Sequence, residues 1–174
     1  MEILRVITGY LEENCYVLVQ DNKCLVVDPG SDFLKIKEVI KNYELVGILI
    51  THHHFDHVGA LKELLEFSNV NIFDYRTLED VCSVGPFSFS IISNPGHSKD
   101  SVSFYFENEK IMFVGDFIFK GTIGRCDLEG GNFDEMKDSL TRIKQYADDI
   151  ILYPGHGDFT TLKEEKKYNI YFTE

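Results

Sequence analysis

The chain has 174 residues, 44% of them hydrophobic, enough to bury a sizeable core in one domain, and its formal net charge is −12. That acidity argues against nucleic acid and against an anionic membrane surface as partners, since both call for a basic face. No apolar run approaches the ~18 residues a membrane span needs, and Met1-Glu2-Ile3-Leu4-Arg5-Val6 lacks the long apolar stretch of a signal peptide. The cysteines Cys15, Cys24, Cys82 and Cys126 show no Cys-x-x-Cys spacing, so four free thiols in a reducing compartment, and a cytoplasmic protein, are expected.

In chain order, Ile3 to Thr8, Asn14 to Val19 and Lys23 to Asp28 read as short strands, with a hairpin turn at Gln20-Asp21-Asn22. Asp28-Pro29-Gly30 stops the third. Asp32 to Lys41 has apolar residues at Phe33, Leu34, Ile36, Val39 and Ile40, a helical spacing. Val46 to Ile50 reads as a buried strand, and Val58 to about Phe67 as the helix after it. Val70 to Phe73 predicts a short strand, while 74–80 has no clear pattern. Val84 to Ser93, interrupted by Gly85-Pro86, predicts one or two strands. Ser101 to Phe106 and Lys110 to Val114 predict a hairpin around Glu107-Asn108-Glu109. Asn132 to Tyr146 is helical, with Phe133, Met136, Leu140 and Ile143 on one face, Asn132 as its cap and Glu135 completing a capping box. Ile150 to Tyr153 predicts a last strand and Thr160 to Tyr168 a closing helix. With no linker and no short repeat, residues 1–174 are expected to form a single layered α/β domain.

Thr51-His52-His53-His54-Phe55-Asp56-His57 falls between a strand and a helix. His52 and His54 are two apart and point the same way in extended backbone. Asp56 and His57 fall where the chain turns into the helix. Such a density of imidazole and carboxylate favours zinc, with iron or manganese as alternatives. A solvated polar turn is the bland alternative, but the stretch is internal and flanked by apolar segments. The two remaining histidines sit in like turns, Pro95-Gly96-His97 and Pro154-Gly155-His156, and Val114-Gly115-Asp116 ends another apolar strand. Four strands thus each deliver a metal-binding type of side chain at the carboxyl end, where open α/β folds place their sites. Burying so many ionisable groups unpaired is costly, and metal is the natural compensation.

His52-x-His54-x-Asp56-His57, followed by His97, Asp116 and His156, resembles the metallo-β-lactamase superfamily over essentially the whole chain. Asp28-Pro29-Gly30, Pro95-Gly96-His97-Ser98, Gly121-Thr122-Ile123-Gly124-Arg125 and Pro154-Gly155-His156-Gly157 are similar to its glyoxalase II-like branch, in short single-domain form. The resemblance implies an αββα four-layer sandwich with metals at one sheet edge. It assigns His52, His54 and His97 to a first divalent ion, Asp56, His57 and His156 to a second, and Asp116 to both. His53 matches no ligand position and is expected to be a spacer. Asp28 matches a carboxylate that orients the histidine turn.

The implied chemistry is hydrolysis by a hydroxide held between the two ions, with Asp56 orienting it or moving its proton and no serine or cysteine nucleophile. The implied substrate is a small acyl thioester such as S-lactoylglutathione, with Arg125 meeting its carboxylate. The sequence departs from the branch at Cys126, where related sequences often have Thr, and at Ser98-Lys99-Asp100-Ser101 in place of Thr-Pro-Gly-Ser. It also ends a short way beyond His156, before the C-terminal helical extension that helps two-domain members bind glutathione. The alternatives are a persulfide dioxygenase using one iron, told apart by iron content and oxygen uptake, and a metal-binding protein without turnover.

Overall fold

A computed structural model describes residues 1–77, 79 and 81–173. The first half of the chain builds a five-stranded sheet. Its elements are β1 (Glu2–Thr8), β2 (Glu13–Gln20), β3 (Lys23–Val27), α1 (Phe33–Ile40), β4 (Glu44–Leu49), α2 (Phe55–Val58), α3 (Leu61–Phe67) and β5 (Asn71–Phe73), with strands in the order β1-β2-β3-β4-β5. Asp21 and Asn22 take φ of 51° and 61°, the left-handed pair that lets a two-residue turn follow the twist of its strands. The β2–β3 pairing accordingly closes at Gln20 opposite Lys23. β3, β4 and β5 run parallel, so their carboxyl ends share one edge.

The second half builds β6 (Cys82–Val84), β7 (Phe87–Ser93), β8 (Val102–Phe106), β9 (Ile111–Gly115), β10 (Ile118–Phe119), β11 (Thr122–Ile123), α4 (Phe133–Ile143), β12 (Ile151–Pro154), β13 (Thr160–Thr161), α5 (Leu162–Tyr168) and α6 (Ile170–Thr173). Six of these strands form a sheet in the order β13-β12-β9-β8-β7-β6, and β10 and β11 pair separately. β9 and β12 are parallel, which sets Asp116 and His156 at one end.

The period of two along each strand divides the apolar residues between layers. Tyr16 and Leu18 of β2 face the second sheet, where they join Phe89, Phe104 and Phe113. Val17 and Val19 face the other way, onto Ile36 and Ile40 of α1 and Leu64 of α3. On the far side, Met112, Val114 and Leu152 meet Met136, Leu140 and Leu162 of α4 and α5. The result is the αββα sandwich. Each phenylalanine ring sealed between the sheets contributes roughly 1.5–3 kcal/mol, which is how the core reaches its bulk without tryptophan. Among the described residues no helix is long and apolar enough to cross a membrane.

Four local features depart from the sequence expectations. The helix after the histidine stretch is two pieces: the backbone N–H of Ala60 donates to Gly30 O (2.6 Å) and Pro29 O (3.2 Å), and Gly59 packs so close to Gly30 that the helix is interrupted there. The closing helix starts at Leu162, because Thr160 and Thr161 pair with β12 and the Thr161 hydroxyl caps the helix at Glu164 N. β10–β11 and α6 were not anticipated. Asn132 caps α4 through Asp134 N and Glu135 N, but its own N–H goes to Gly96 O (2.8 Å), so Glu135 does not complete a capping box. Of the unpatterned stretch 74–80, Leu78 and Asp80 lie outside the described residues.

Candidate metal centre

The seven residues singled out by sequence converge at the edge where the two sheets are stitched together. Asn14 at the start of β2 donates its N–H to Gly155 O (2.7 Å) and its amide to Pro154 O and Gly157 O, and the Tyr16 hydroxyl donates to Pro154 O (2.7 Å). This fixes the end of β12, and hence His156, against the first sheet.

Two clusters result. In one, His54 Nδ1 lies 3.1 Å from His52 Nε2 and 2.9 Å from His97 Nε2. In the other, His156 Nε2 lies 3.2 Å from Asp56 Oδ2, and His57 Nε2 lies 3.8 Å from the same atom. Asp116 stands between them: Oδ1 is 3.3 Å from His57 Nε2, while Oδ2 is 3.6 Å from His97 Nε2 and 3.7 Å from His156 Nε2. The groups His52/His54/His97 and Asp56/His57/His156 each bring their ligand atoms within 4.8 Å of one another, as does His52/His57/Asp116.

The donor set fits divalent cations. His57 Nε2 and Asp116 Oδ1 are buried and lack a hydrogen-bond partner, and such groups cost about 1–3 kcal/mol each unless something satisfies them. Three imidazole nitrogens aimed at one point cannot all be paired by protons, but they can share an ion.

Three of the rings, those of His57, His97 and His156, are aimed by a partner on the other nitrogen. Asp28 leaves β3 with a left-handed φ of 48°. Its Oδ1 accepts from Thr51 N–H (2.7 Å), and its Oδ2 accepts from the Thr51 hydroxyl (2.6 Å) and from His57 Nδ1 (2.9 Å). His97 donates Nδ1–H to Arg125 O (2.7 Å), and His156 donates Nδ1–H to Leu11 O (3.0 Å). A carbonyl can only accept, so both tautomers are set with Nε2 free toward the clusters.

The clusters differ electrostatically. Burial, reinforced by surrounding histidines, holds His52 well below the ordinary histidine pKa, and His54 is lowered by burial and His97. Burial also pulls His57 down, but the Asp116 and Asp28 carboxylates outweigh it and raise His57 well above that value. His156 likewise ends raised, because Asp56 and Asp116 outweigh burial. Asp116 resists burial because His57 sits beside it, and its pKa is lowered.

Three features were not read from sequence. Glu13 is fully buried, accepts from the Thr8 hydroxyl (2.9 Å) and places Oε1 3.9 Å from His57 Nδ1. In sequence it is only an acidic residue just before the strand expected from Asn14. His53 is more than a spacer: its N–H donates to Asp100 Oδ2 (3.1 Å) and its Nδ1 lies 2.7 Å from the same atom. The unusual Lys99-Asp100 turn is therefore tied to the histidine stretch. Arg125 lines the cleft above the clusters, but its guanidinium is forked onto Asp127 at 2.7 and 2.8 Å, and it is the Arg125 carbonyl that reaches His97. The cleft has a volume of about 780 Å³, with His54, Asp56, His97, Asp116 and His156 among its lining.

An αββα sandwich with paired His/Asp clusters at one sheet edge defines a metal-binding hydrolase fold. The family model described as "Metallo-beta-lactamase superfamily" matches residues 8–78 and 74–156, and the chain belongs to that superfamily. Hydroxyacylglutathione hydrolase GloC of Haemophilus influenzae is 28% identical, the match covering 91% of this chain and 92% of that protein. The crystal structure of BLEG-1 B3 metallo-beta-lactamase superposes with a TM-score of 0.95 at 28% identity, covering 99% of this chain and 100% of that one. The structure of TTHA1623 in a di-iron-bound form superposes with a TM-score of 0.86 at 29% identity, covering 95% and 98%.

Proposed function

We propose that the chain is a hydrolase of small acyl thioesters, S-lactoylglutathione among them, working with two divalent ions. The placement of Asp116 between the two clusters, with one oxygen toward His57 and the other toward His97 and His156, carries this reading. His52, His54 and His97 would hold one ion, Asp56, His57 and His156 the other, and Asp116 both. The nitrogen-rich donor set favours zinc, while the di-iron form of TTHA1623 supports iron as the alternative. Such ions, when bound, lower the pKa of water to about 7 and polarise a carbonyl.

The chain's own residues supply the rest. His156 and His57 hold the Asp56 carboxylate below its ordinary pKa against the opposing effect of burial, so it is ionised at neutral pH, and the oxygen not turned to the ion would orient a water and accept its proton. Leu11 O and Arg125 O keep the His156 and His97 rings aligned. A departing thiolate, with a thiol pKa of about 8.5, leaves without help from a general acid. GloC, by its name a hydroxyacylglutathione hydrolase, supports the thioester assignment. The four cysteines, all free, suit a reducing cytoplasm, and residues 1–174 are taken as one domain.

The test is S-lactoylglutathione hydrolysis by wild type and Asp56→Asn at matched metal content. Turnover lost in the variant establishes the reading. No turnover of any thioester by fully loaded protein overturns it. Oxygen uptake with glutathione persulfide on iron-loaded protein would replace it with sulfur oxidation, and neither activity would leave a metal-binding protein.

A further inference from the structure

The clusters occupy only the floor of their cleft. Its walls are apolar: Tyr10 and Leu11 come from the β1–β2 loop and Phe55 from the start of α2, while Phe119 and Ile123 come from the β10–β11 hairpin and Leu128 from the segment after it. Four of these side chains are held in water. Tyr10 is 82% exposed, Phe55 62%, Leu11 43% and Leu128 42%. The Tyr10 and Phe55 rings stack with centroids 6.5 Å apart and planes at 22°, so they present a formed surface. The wall segments are also anchored, since Leu11 and Arg125 give their carbonyls to His156 and His97. Large apolar groups crowded into one cleft beside reactive side chains mark a ligand surface.

The charges point the same way. Arg125 is the only lysine or arginine among the described residues lining the cleft, and Asp127 already engages it through two hydrogen bonds. A substrate carboxylate would meet a guanidinium whose charge Asp127 already offsets. The tripeptide of a glutathione thioester carries two carboxylates, which find no second cation along these walls.

Resting on the thioester-hydrolase reading, we infer that the preferred substrate is an uncharged thioester carrying an apolar group of several carbons beside the scissile carbonyl. That group lies against Tyr10, Phe55 and Leu128.

Two ladders of thioesters test this on metal-loaded protein. One lengthens the acyl group from acetyl to octanoyl on N-acetylcysteamine, and the other keeps acetyl and lengthens an alkanethiol. In one of them kcat/KM climbs about two- to fourfold per methylene, the upper figure corresponding to full burial, and which ladder climbs identifies the side of the carbonyl that meets the wall. The longest member of that ladder exceeds S-lactoylglutathione. Tyr10→Ala and Leu128→Ala each flatten the climb, while Leu34→Ala, on an exposed position of α1 outside the cleft, leaves it intact.

Flat ladders with S-lactoylglutathione preferred overturn the inference and leave the hydrolase reading standing. If nothing is hydrolysed, that reading fails separately, and binding of unreactive dialkyl thioethers of matched length decides. Affinity that rises with length and falls in Tyr10→Ala supports the apolar site, and flat affinity rejects it. A dimer in sedimentation that Tyr10→Ala dissociates would assign the wall to a second copy of this chain and overturn the substrate inference.

Discussion

Asp28 and His57 meet in a buried contact, Oδ2 to Nδ1 at 2.9 Å, and the same carboxylate receives both the N–H and the hydroxyl of Thr51. One side chain on the β3 turn therefore holds the start of the histidine stretch and one of its rings. In Asp28→Asn an amide donor replaces an acceptor that three donors share. The expected result is a 10- to 100-fold loss of affinity for the ion on the His57 side, the size typical of such supporting groups, read by competition with a chromophoric chelator. Unchanged affinity would show that His57 is aimed by something else.

Gly155 has no room for a side chain. A Cβ there would lie 2.5 Å from His57 Cε1 and closer still to Asp116 Oδ1. Gly155→Ala is expected to cost about 1–3 kcal/mol of stability, as overpacking does, and to loosen the ion on the His57 side first. Denaturant unfolding and metal analysis on the same preparation check both effects. Full metal content with unchanged stability would contradict the packing.

Glu13 sets a pH dependence of stability. Burial pushes its carboxyl from 4.5 up to about 9, against the pull of His57 and the Thr8 hydroxyl. The unfolded chain ionises this group near pH 4.5 while the folded chain keeps the proton. Its contribution is thus fully present below pH 4.5 and is lost as pH rises toward about 9, by up to ~1.4 kcal/mol per pH unit. Glu13→Gln, which cannot ionise, should unfold with a shallower decline above neutral pH than wild type. Parallel declines would place Glu13 outside this balance.

Metal loading should show the asymmetry between the clusters. His52 and His54 are held neutral, whereas His57 and His156 have raised pKa values. A ligand nitrogen must shed its proton before it binds. Filling the His57 side is therefore expected to release at least one proton more than filling the His52 side, and to weaken about tenfold per released proton for each unit of falling pH. Calorimetry in two buffers of different ionisation enthalpy reads this directly. Equal proton release at both sites would refute it.

The candidate ligands that sequence made visible are of two kinds. His52, His54, Asp56 and His57 sit within one short stretch, so local periodicity sufficed. His97, Asp116 and His156 each follow an apolar strand, so the rule that sites lie at strand carboxyl ends singled them out, and the family resemblance supplied their expected roles. What stayed hidden acts through backbone or across long separations. The Leu11 carbonyl serves a ring 145 positions away, and no side-chain pattern encodes a carbonyl. Glu13 falls just outside the strand expected from Asn14, and only the fold buries it. β10 and β11 have two residues each, too few for alternation to register. The break between α2 and α3 depended on the approach of Gly59 to Gly30, which only tertiary structure supplies.

The two histidine-to-carbonyl bonds have a consequence for how this protein can change. The segments that shape the cleft are also the levers that set the tilt of His97 and His156. A lengthened or shortened β1–β2 loop, or a remodelled turn around Arg125, would reorient an imidazole as it redrew the walls. Variation in substrate preference along this lineage should therefore travel with variation in metal preference, and loop grafting should succeed only when a new carbonyl arrives at the old place.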